Sequence, residues 1–331
     1  PAGNLERLKW AVAYGADDVY FGITEFTLRS YAGNFTLDDA RLGLDYLHQN
    51  GRKGYVTLNI YPFSNEYDEL MRTAAALDEM GADAFIVSDL GVIRVLRQLN
   101  LRTPIHISTQ ANTTSWQAVL AYRDLGAKRV NLARELSLEQ IKEIQSNLKG
   151  EQVETEVFIH GSVCFSYSGR CAISDYLTGR MANRGECTHP CRWNYTLMEE
   201  KRPGEYFSVF EDERGLYFFN SRDLALFPFV PELVDCGVAS LKIEGRMKNV
   251  HYLAAVLSVY RAVLDGKPIT EETAYKLLGR VSNRGYSFGF MKGQITEEDY
   301  EIRTHRYRST SIMVASTTEQ TLGDKRVCKV K

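Results

Sequence analysis

The chain has 331 residues, of which 44% are hydrophobic and 25% are charged, and its formal net charge is −2. Such a composition is ordinary for a globular protein, and the length predicts one large domain and a smaller one. It excludes a uniformly basic polyanion binder, a disulfide scaffold, and a chain with an apolar membrane span of about 20 residues. No charged-then-apolar leader is recognisable, so we expect a cytoplasmic protein that is not secreted.

Short β-rich runs alternate with helical patterns along most of the chain. The predicted helices span 5–14, 36–50, 65–80, 90–99, 115–125, 137–147 and 249–264. The predicted strands span 18–23, 54–60, 84–89, 104–110, 129–133, 156–161 and 240–245. A glycine that ends a helix just before the next strand recurs at Gly15, Gly81, Gly126 and Gly237. This alternation is typical of parallel β–α units.

The strand pattern predicts an α/β fold, a (β/α)8 barrel of TIM type whose first strand is expected upstream of Pro1. An open doubly wound sheet is the alternative, but no GxGxxG motif follows a strand. We expect the barrel at 1–268, with a cysteine-rich insertion at 162–202 after its seventh strand. Residues 269–331 predict a helix at 270–278 and a small, incomplete C-terminal β domain with strands at 289–294 and 311–317.

Polar residues follow the predicted strands, and in such a barrel the active site lies at the carboxyl ends of the strands. We expect one mouth to be surrounded by Asn59, Asp89, Gln110, Asn112, Arg134, Glu135, His160, Glu244 and Arg246. Catalytic roles are expected of His160, Glu244 and Gln110. Substrate binding is expected of Arg134, Arg246, Asn112 and Lys242.

Each of these roles has a plainer alternative. A histidine at a strand end is often a hydrogen-bonded scaffold residue rather than a general acid or base. The alternating charges of Lys242, Glu244 and Arg246 indicate a polar site or a structural ion pair. Arg134 and Arg246 could clamp a dicarboxylate, because a guanidinium group pairs with a carboxylate through two hydrogen bonds.

Four of the six cysteines fall in one stretch, with six, fifteen and three residues between Cys164, Cys171, Cys187 and Cys191. Thiolates are the ligands that iron–sulfur clusters and zinc select. The irregular spacing favours a [4Fe–4S] cluster over a zinc module with two CxxC pairs, and zinc or redox cysteines remain alternatives. Cys236 is either a substitute ligand or a small core residue.

The same stretch interleaves arginines with aromatic residues. Arg170, Arg184, Arg192 and Trp193 could neutralise the phosphates and stack on the bases of an RNA. The alternative is an ordinary solvated loop with a few aromatic side chains packed beneath it.

Residues 156–174, EVFIHGSVCFSYSGRCAIS, closely resemble the signature of the collagenase-like peptidase family thirty-two, whose mechanism is unassigned. Further stretches are similar to that family, so that the resemblance covers nearly the whole chain: 1–6, 108–112, 133–136, 220–224 and 241–247. The ending of the cysteine stretch, CTHPCRW, looks most like the branch that hydroxylates tRNA.

The resemblance implies an iron–sulfur-dependent RNA hydroxylase that forms 5-hydroxyuridine at the tRNA wobble position, with prephenate implicated as the hydroxyl source. The cluster ligands carried over from the family are Cys164, Cys171, Cys187 and Cys191. Expected partners are tRNA, prephenate or a similar dicarboxylate, and a paralogous family member or a second copy, with no membrane. Two alternatives stay open: a collagenase-like peptidase, and a cluster-bearing RNA-binding protein without catalysis.

Overall fold

A nine-stranded, mostly parallel sheet forms the centre of the protein. This computed structural model describes residues 1–24, 26–27, 34–164, 166–167, 170–193, 221–293, 299 and 308–310, and the backbone of six short strands within 197–216 and 317–330. The first six strands pair in parallel in chain order: β1 Asp18–Gly22, β2 Lys53–Leu58, β3 Ala84–Val87, β4 Ile105–Ile107, β5 Ala127–Asn131 and β6 Glu154–Ser162.

The remaining strands are short or pair differently. Two small antiparallel pairs follow, β7 Leu197–Met198 with β8 Tyr206–Phe207, and β9 Glu211–Asp212 with β10 Gly215–Leu216. Strand β11, Asp223–Ala225, runs antiparallel to β6, whereas β12, Ser240–Ile243, pairs with β6 in parallel. Strand β13, Tyr286–Ser287, pairs with β11, and β14 Thr317–Leu322 pairs with β15 Lys325–Val330 in a separate sheet.

The helices that the sequence predicts begin within two residues of their expected starts, because most of them start at a capping side chain; the short helices at 173–178 and 230–235 were not predicted. The helices are α1 Leu5–Ala13, α2 Leu37–Gln49, α3 Tyr67–Glu79, α4 Leu90–Gln98, α5 Trp116–Asp124, α6 Leu138–Asn147, α7 Ile173–Thr178, α8 Val230–Asp235, α9 Val250–Leu264 and α10 Glu271–Leu278. The capping side chains are Asn4, Thr36, Asp89, Ser115, Ser137, Asn249 and Thr270. Among the described residues, no helix combines the length and the apolar content that crossing a membrane requires.

The parallel strands are buried on both faces. One face of the sheet carries Phe21, Val56 and Phe85, which are fully buried in the large apolar core. Alternate residues of the same strands, such as Tyr20 and Tyr55, form a smaller cluster on the other face. Burial on both faces is typical of a parallel sheet covered by helices, so the predicted α/β fold with a mostly parallel sheet is confirmed.

The two ends of this sheet approach each other. Tyr20 of β1 donates from its hydroxyl to Oε2 of Glu244 at 2.5 Å, and the same hydroxyl lies 3.4 Å from the carbonyl oxygen of Ile243 in β12. Ala2 forms an isolated parallel bridge with Phe21. Between the strands lies a cavity of about 360 Å³, lined also by α1, α8 and α9. Among the described residues, β1 and β12 do not pair through their main chains.

Two predicted strands differ clearly from the structure. Gly289–Lys292 forms a 3-10 helix, so the predicted strand at 289–294 is wrong there; Gly289 and Gly293 have φ angles of 52° and 108°, which break an extended chain. The strand predicted at 104–110 ends at Ile107. The strand predicted at 311–317 lies outside the described residues except for its last residue, where β14 begins. The short strands β11 and β13 were not predicted.

A buried ion pair ties three of the strands together. Oε1 of Glu156 accepts from Lys242 Nζ at 2.8 Å and from Asn131 Nδ2 at 2.7 Å, and Oε2 accepts from Ser240 Oγ at 2.8 Å. Burial by itself would raise the pKa of Glu156, but the charge of Lys242 and these hydrogen bonds lower it to about 2. The carboxylate is therefore ionised and satisfied inside the fold.

We predict that Lys242→Met lowers the free energy of unfolding by about 3–5 kcal/mol, because it leaves a buried carboxylate without its counter-charge. Urea unfolding of the variant tests this. The double variant Glu156→Gln/Lys242→Met should recover part of the loss; a loss equal to the sum of the two single changes would contradict the pairing. Since the pKa of Glu156 is lowered on folding, this contribution is present above the ordinary value of 4.5 and fades as the pH falls toward 2.

One arginine anchors the cysteine segment, residues 164–193, to the sheet. Arg184 donates from Nη2 to Glu66 Oε1 at 2.6 Å, from Nη1 to Glu66 Oε2 at 3.0 Å, and from Nη1 to the carbonyl oxygen of Tyr61 at 2.5 Å. Its guanidinium group lies 4.0 Å from the ring centre of Phe63. The hydrogen bonds from Arg184 hold the pKa of Glu66 below its ordinary value. The segment is thus attached to the loop that follows β2.

We predict that Arg184→Met loosens the cysteine segment while the sheet stays folded. A two-pronged, partly buried ion pair is worth on the order of 1 kcal/mol, so amide hydrogen exchange within 173–193 should become about fivefold faster. The matched control is Glu69→Gln, which removes an exposed carboxylate in α3, close in sequence to Glu66. Equal exchange rates in both variants would show that the anchor does not hold the segment.

Candidate active site

The carboxyl ends of the parallel strands surround a cavity of about 470 Å³. Its walls come from the residues that follow β2, β4, β5, β6 and β12, and from the cysteine segment. Among the lining residues are Asn59, Gln110, Arg134, Lys242, Glu244 and Arg246. Five of the nine residues that the sequence predicts at this mouth therefore line one cavity.

All four clustered cysteines line this mouth cavity, together with His189. Cys164 is exposed and the other three are partly buried. Among the described residues, no three His, Cys, Asp or Glu side chains are gathered closely enough to hold a metal ion. The donor set, four thiols facing one cavity, fits a soft-metal centre chemically.

Hydrogen bonds inside the cysteine segment bring its two halves together. Ser174, in α7, accepts from the backbone N–H of Thr188 at 3.2 Å, and their hydroxyl oxygens are 3.0 Å apart. The Nδ2 atom of Asn183 donates to the carbonyl oxygen of Cys171 at 3.0 Å. Sγ of Cys187 accepts from the backbone N–H of His189 at 3.4 Å. These contacts bring the distant second and third cysteines to the same cavity.

Cys236 lies away from this mouth. It follows α8, and its Sγ donates to the carbonyl oxygen of Leu233 at 3.3 Å. Three residues later, the N–H of Ala239 bonds to Thr155, at the start of β6. Cys164 comes after the other end of this nine-residue strand, about 30 Å away at roughly 3.3 Å per residue. Cys236 therefore does not replace one of the four clustered cysteines.

Positive charge dominates the mouth cavity. The described lining residues include four cations, Arg134, Lys242, Arg246 and Lys248, and one carboxylate, Glu244. Lys242 is engaged by Glu156 beneath the cavity. The Arg134 guanidinium lies 5.5 Å from the ring centre of Phe158. Such a set favours an anionic ligand.

Arg246 is almost completely buried, with 4% of its surface exposed. Nη1 donates to Thr27 Oγ1 at 2.7 Å and lies 3.3 Å from Thr57 Oγ1. A Cβ atom at Gly22 would come within 2.4 Å of this nitrogen, so glycine provides the space that the guanidinium occupies. The carbonyl oxygen of Arg246 accepts from Arg7 at 2.7 Å. The side chain is held rigidly at the edge of the cavity.

Glu244 is fixed at both its side chain and its main chain. Tyr20 donates to the carboxylate, and the hydroxyl of Tyr252 donates to the carbonyl oxygen at 2.7 Å. Gly245 has φ of 149°, and a Cβ there would lie 2.5 Å from the Tyr252 ring. A Cβ at Gly161 would lie 2.7 Å from the carbonyl oxygen of Glu244. Two glycines thus allow the close packing that aims Glu244 into the cavity.

His160 and Asn112 do not line the cavity. His160 is fully buried, its Nδ1 lies 3.2 Å from the Tyr260 hydroxyl, and burial lowers its pKa to about 3. Its ring is packed among those of Tyr252, Tyr260 and Tyr286 at 5.4–5.8 Å. This environment favours the scaffold role, and a catalytic role for His160 stays a prediction.

Asn112 and Asp89, also expected at the mouth, sit in local turns. Asn112 has a left-handed φ of 53°, and its buried Oδ1 has no hydrogen-bond partner among the described residues. Asp89 caps α4 by accepting from the N–H of Val92 at 3.0 Å and also accepts from the Tyr67 hydroxyl at 2.9 Å. The substrate-binding role of Asn112 stays a prediction.

The residues expected to bind nucleic acid differ in their surroundings. Arg170 is exposed, whereas Arg184 is engaged in the anchor to Glu66. The indole N–H of Trp193 donates to the carbonyl oxygen of Thr188 at 3.2 Å. The side chain of Arg192 lies outside the described residues. Of the two arginines whose side chains are described, Arg170 has the exposure that a direct phosphate contact requires, and the nucleic-acid role of all four residues stays a prediction.

Several lining residues were not selected from the sequence. Lys248 follows the charged strand β12 and could have been found from its position at a strand end. Tyr20 lies on the face of β1 opposite the large apolar core, a position that the two-residue period of a strand predicts. Asn183 has no sequence signal of this kind, because only the folding of the cysteine segment brings it to the cavity.

The chain is similar in sequence to known proteins over most of its length. The chain matches Peptidase family U32 over residues 3–301. The tRNA hydroxylation protein P of Escherichia coli is 36% identical over 376 residues, covering 100% of this chain and 82% of that protein. The 23S rRNA 5-hydroxycytidine C2501 synthase of Escherichia coli is 36% identical over 268 residues, covering 80% of this chain and 38% of that protein.

A solved structure of a U32 peptidase is 17% identical, with a TM-score of 0.40 over 49% of this chain and 67% of that chain. A likeness at that level does not define the fold of the present protein. The family match and the curated relatives do not depend on it. The chain belongs to Peptidase family U32.

Proposed function

We propose that the protein is an iron–sulfur-dependent RNA hydroxylase that forms 5-hydroxyuridine at the tRNA wobble position. The observation that carries the proposal is one mouth cavity shared by four thiols and a set of cations. Relatives that the chain matches along most of its length act in tRNA hydroxylation and rRNA 5-hydroxycytidine formation. The proposal includes a (β/α)8-type barrel fold and a cytoplasmic location. The protein would act alone, with a second copy of itself or with a paralogous family member.

The hydroxyl donor in this proposal is prephenate or a similar hydroxyl-bearing dicarboxylate. Arg134, Arg246 and Lys248 line the cavity and would hold its carboxylates. Hydroxyl transfer breaks the C5–H bond of uridine and the C–OH bond of the donor, and it forms a C5–OH bond and a C–H bond on the donor. The base loses two electrons and the donor gains them, so the exchange is balanced.

Cys164, Cys171, Cys187 and Cys191 would hold the cluster, since they share the cavity wall. When bound, a [4Fe–4S] cluster supplies one-electron redox chemistry beside the reacting molecules. Glu244 would exchange a proton with the donor, because its carboxylate enters the same cavity and is oriented by Tyr20. The Gln110 side chain, also in the wall, would orient the donor.

The peptidase alternative is weaker in this geometry. A Cys164–His160 dyad needs the imidazole beside the thiol, whereas Cys164 is exposed at the mouth and His160 is enclosed by tyrosines. A cluster-bearing RNA-binding protein without catalysis would keep the same cavity but leave tRNA unmodified. A hydroxylation assay separates these possibilities.

We predict that the gene restores 5-hydroxyuridine to a bacterial strain lacking its own tRNA hydroxylation protein. Replacing any of Cys164, Cys171, Cys187 or Cys191 by serine should reduce the modified nucleoside at least about a hundredfold, because a ligand set missing one thiolate holds the cluster poorly. Mass spectrometry of digested tRNA measures the nucleoside.

The control for these variants is Cys236→Ser, which changes a thiol remote from the mouth and should retain near wild-type 5-hydroxyuridine. Immunoblotting confirms equal protein levels. A wild-type level of 5-hydroxyuridine in the tRNA of all four serine variants would contradict the cluster-dependent mechanism. Peptide cleavage that needs Cys164 but none of the other three cysteines would favour the peptidase.

A further inference from the structure

A second cavity, of about 360 Å³, lies beside the mouth cavity. The two share a wall made by Arg134, Val163, Cys164 and Tyr167. Ligand sites in proteins enclose on the order of 300–1,000 Å³, so this cavity is large enough for one small ring system. A molecule inside it would face the cysteine that begins the cysteine segment.

The chemistry of the second cavity differs from that of the mouth. Its apolar wall includes Tyr167, which is 58% exposed, and Phe290. Among the described residues, its polar wall carries two carboxylates, Glu135 and Asp299, and one cation, Arg134. Oε2 of Glu135 is buried and has no hydrogen-bond partner among the described residues. The cavity therefore offers aromatic faces and a hydrogen-bond acceptor, and its carboxylates repel an anionic donor.

The floor of this cavity is rigid. Strands β11 and β13 pair there, and a fully buried ion pair joins Asp223 Oδ1 to Arg284 Nη2 at 2.6 Å. Ser162 also donates to Asp223 Oδ1 at 3.1 Å. Gly289 begins the turn that carries Phe290, and a Cβ there would lie 3.1 Å from Leu224. The aromatic ring is thus presented by a well-supported turn rather than by a long loop.

We infer that the second cavity receives the unpaired pyrimidine base on which the enzyme acts, an inference that rests on the proposed function. Chemistry on a base requires that it leave its stack and enter a pocket. Tyr167 and Phe290 offer faces for the base, and the Glu135 carboxylate accepts from N3–H of uridine. The dicarboxylate occupies the basic mouth cavity, so that the two reactants meet across Cys164.

The test uses the full chain and an RNA hairpin whose loop contains one 4-thiouridine. Irradiation at long wavelength cross-links the thio-base to the side chains that touch it, and mass spectrometry of the digest maps them. We expect the cross-links on Tyr167 or Phe290. In Phe290→Ala the cross-linking yield should fall about tenfold, the loss expected from removing one base–aromatic contact.

The matched control is Phe288→Ala. Phe288 belongs to the same turn but packs against Phe229 at 5.2 Å between ring centres and does not line the cavity. The control should keep the wild-type yield within about twofold, as expected for a ring that stacks on no base. Thermal melting of both variants shows whether each is folded.

Hydroxylation of the same hairpin, with uridine in place of 4-thiouridine, separates this inference from the proposed function. Hydroxylated RNA whose cross-links map to Asn59, Gln110 or other residues of the mouth would overturn the base pocket and leave the hydroxylase standing. An RNA that is neither cross-linked nor hydroxylated would overturn both. An equal fall in yield for Phe290→Ala and Phe288→Ala would also overturn the base pocket.

Discussion

The hydrogen bond from Tyr20 to Glu244 joins the first strand of the parallel sheet to the end of β12. It fixes the distance across the mouth, because the two strands do not pair through their main chains among the described residues. The Lys242–Glu156 ion pair lies beneath the mouth cavity and stabilises the same end of the sheet. The binding of any cofactor or substrate at the mouth depends on these two contacts, because they determine the positions of Glu244 and Arg246.

This framework accounts for two neighbouring cavities of opposite character. The mouth carries cations on the strand ends, and the second cavity carries carboxylates and aromatic rings above β11 and β13. Cys164 and Arg134 lie in the wall between them. A bimolecular reaction gains most of its rate from holding two different partners side by side. In the proposed reaction, opposite charge preferences would give each reactant its own cavity.

Much of this arrangement could be predicted from the sequence. The starts of most helices could be predicted because capping residues such as Thr36 and Ser137 directly precede the apolar pattern. Several mouth residues could be predicted because parallel strands end at the same edge of the sheet, which brings Arg134 and Glu244 to one cavity. The four cysteines line one cavity, as their clustering in the sequence suggests, and their role as cluster ligands stays a prediction.

Other features depend on tertiary contacts that a sequence does not display. The pairing of β6 with β12 shifts register between Lys242 and Ile243, so that His160 faces the tyrosines of α9 while Phe158 faces the cavity. The sequence around Arg184 is typical of an RNA-binding arginine, whereas in the structure Arg184 forms an ion pair with Glu66. Strand β11 has three residues and no alternating pattern, so no local signal marked it.

The most direct test of the central claim is the iron and acid-labile sulfide content of protein purified without oxygen, together with its absorption spectrum. The account predicts about four iron and four sulfide per chain, the content of one [4Fe–4S] cluster. One tightly held zinc and no sulfide would contradict it, and the cysteine segment would then be a zinc-stabilised loop beside an RNA or peptide site.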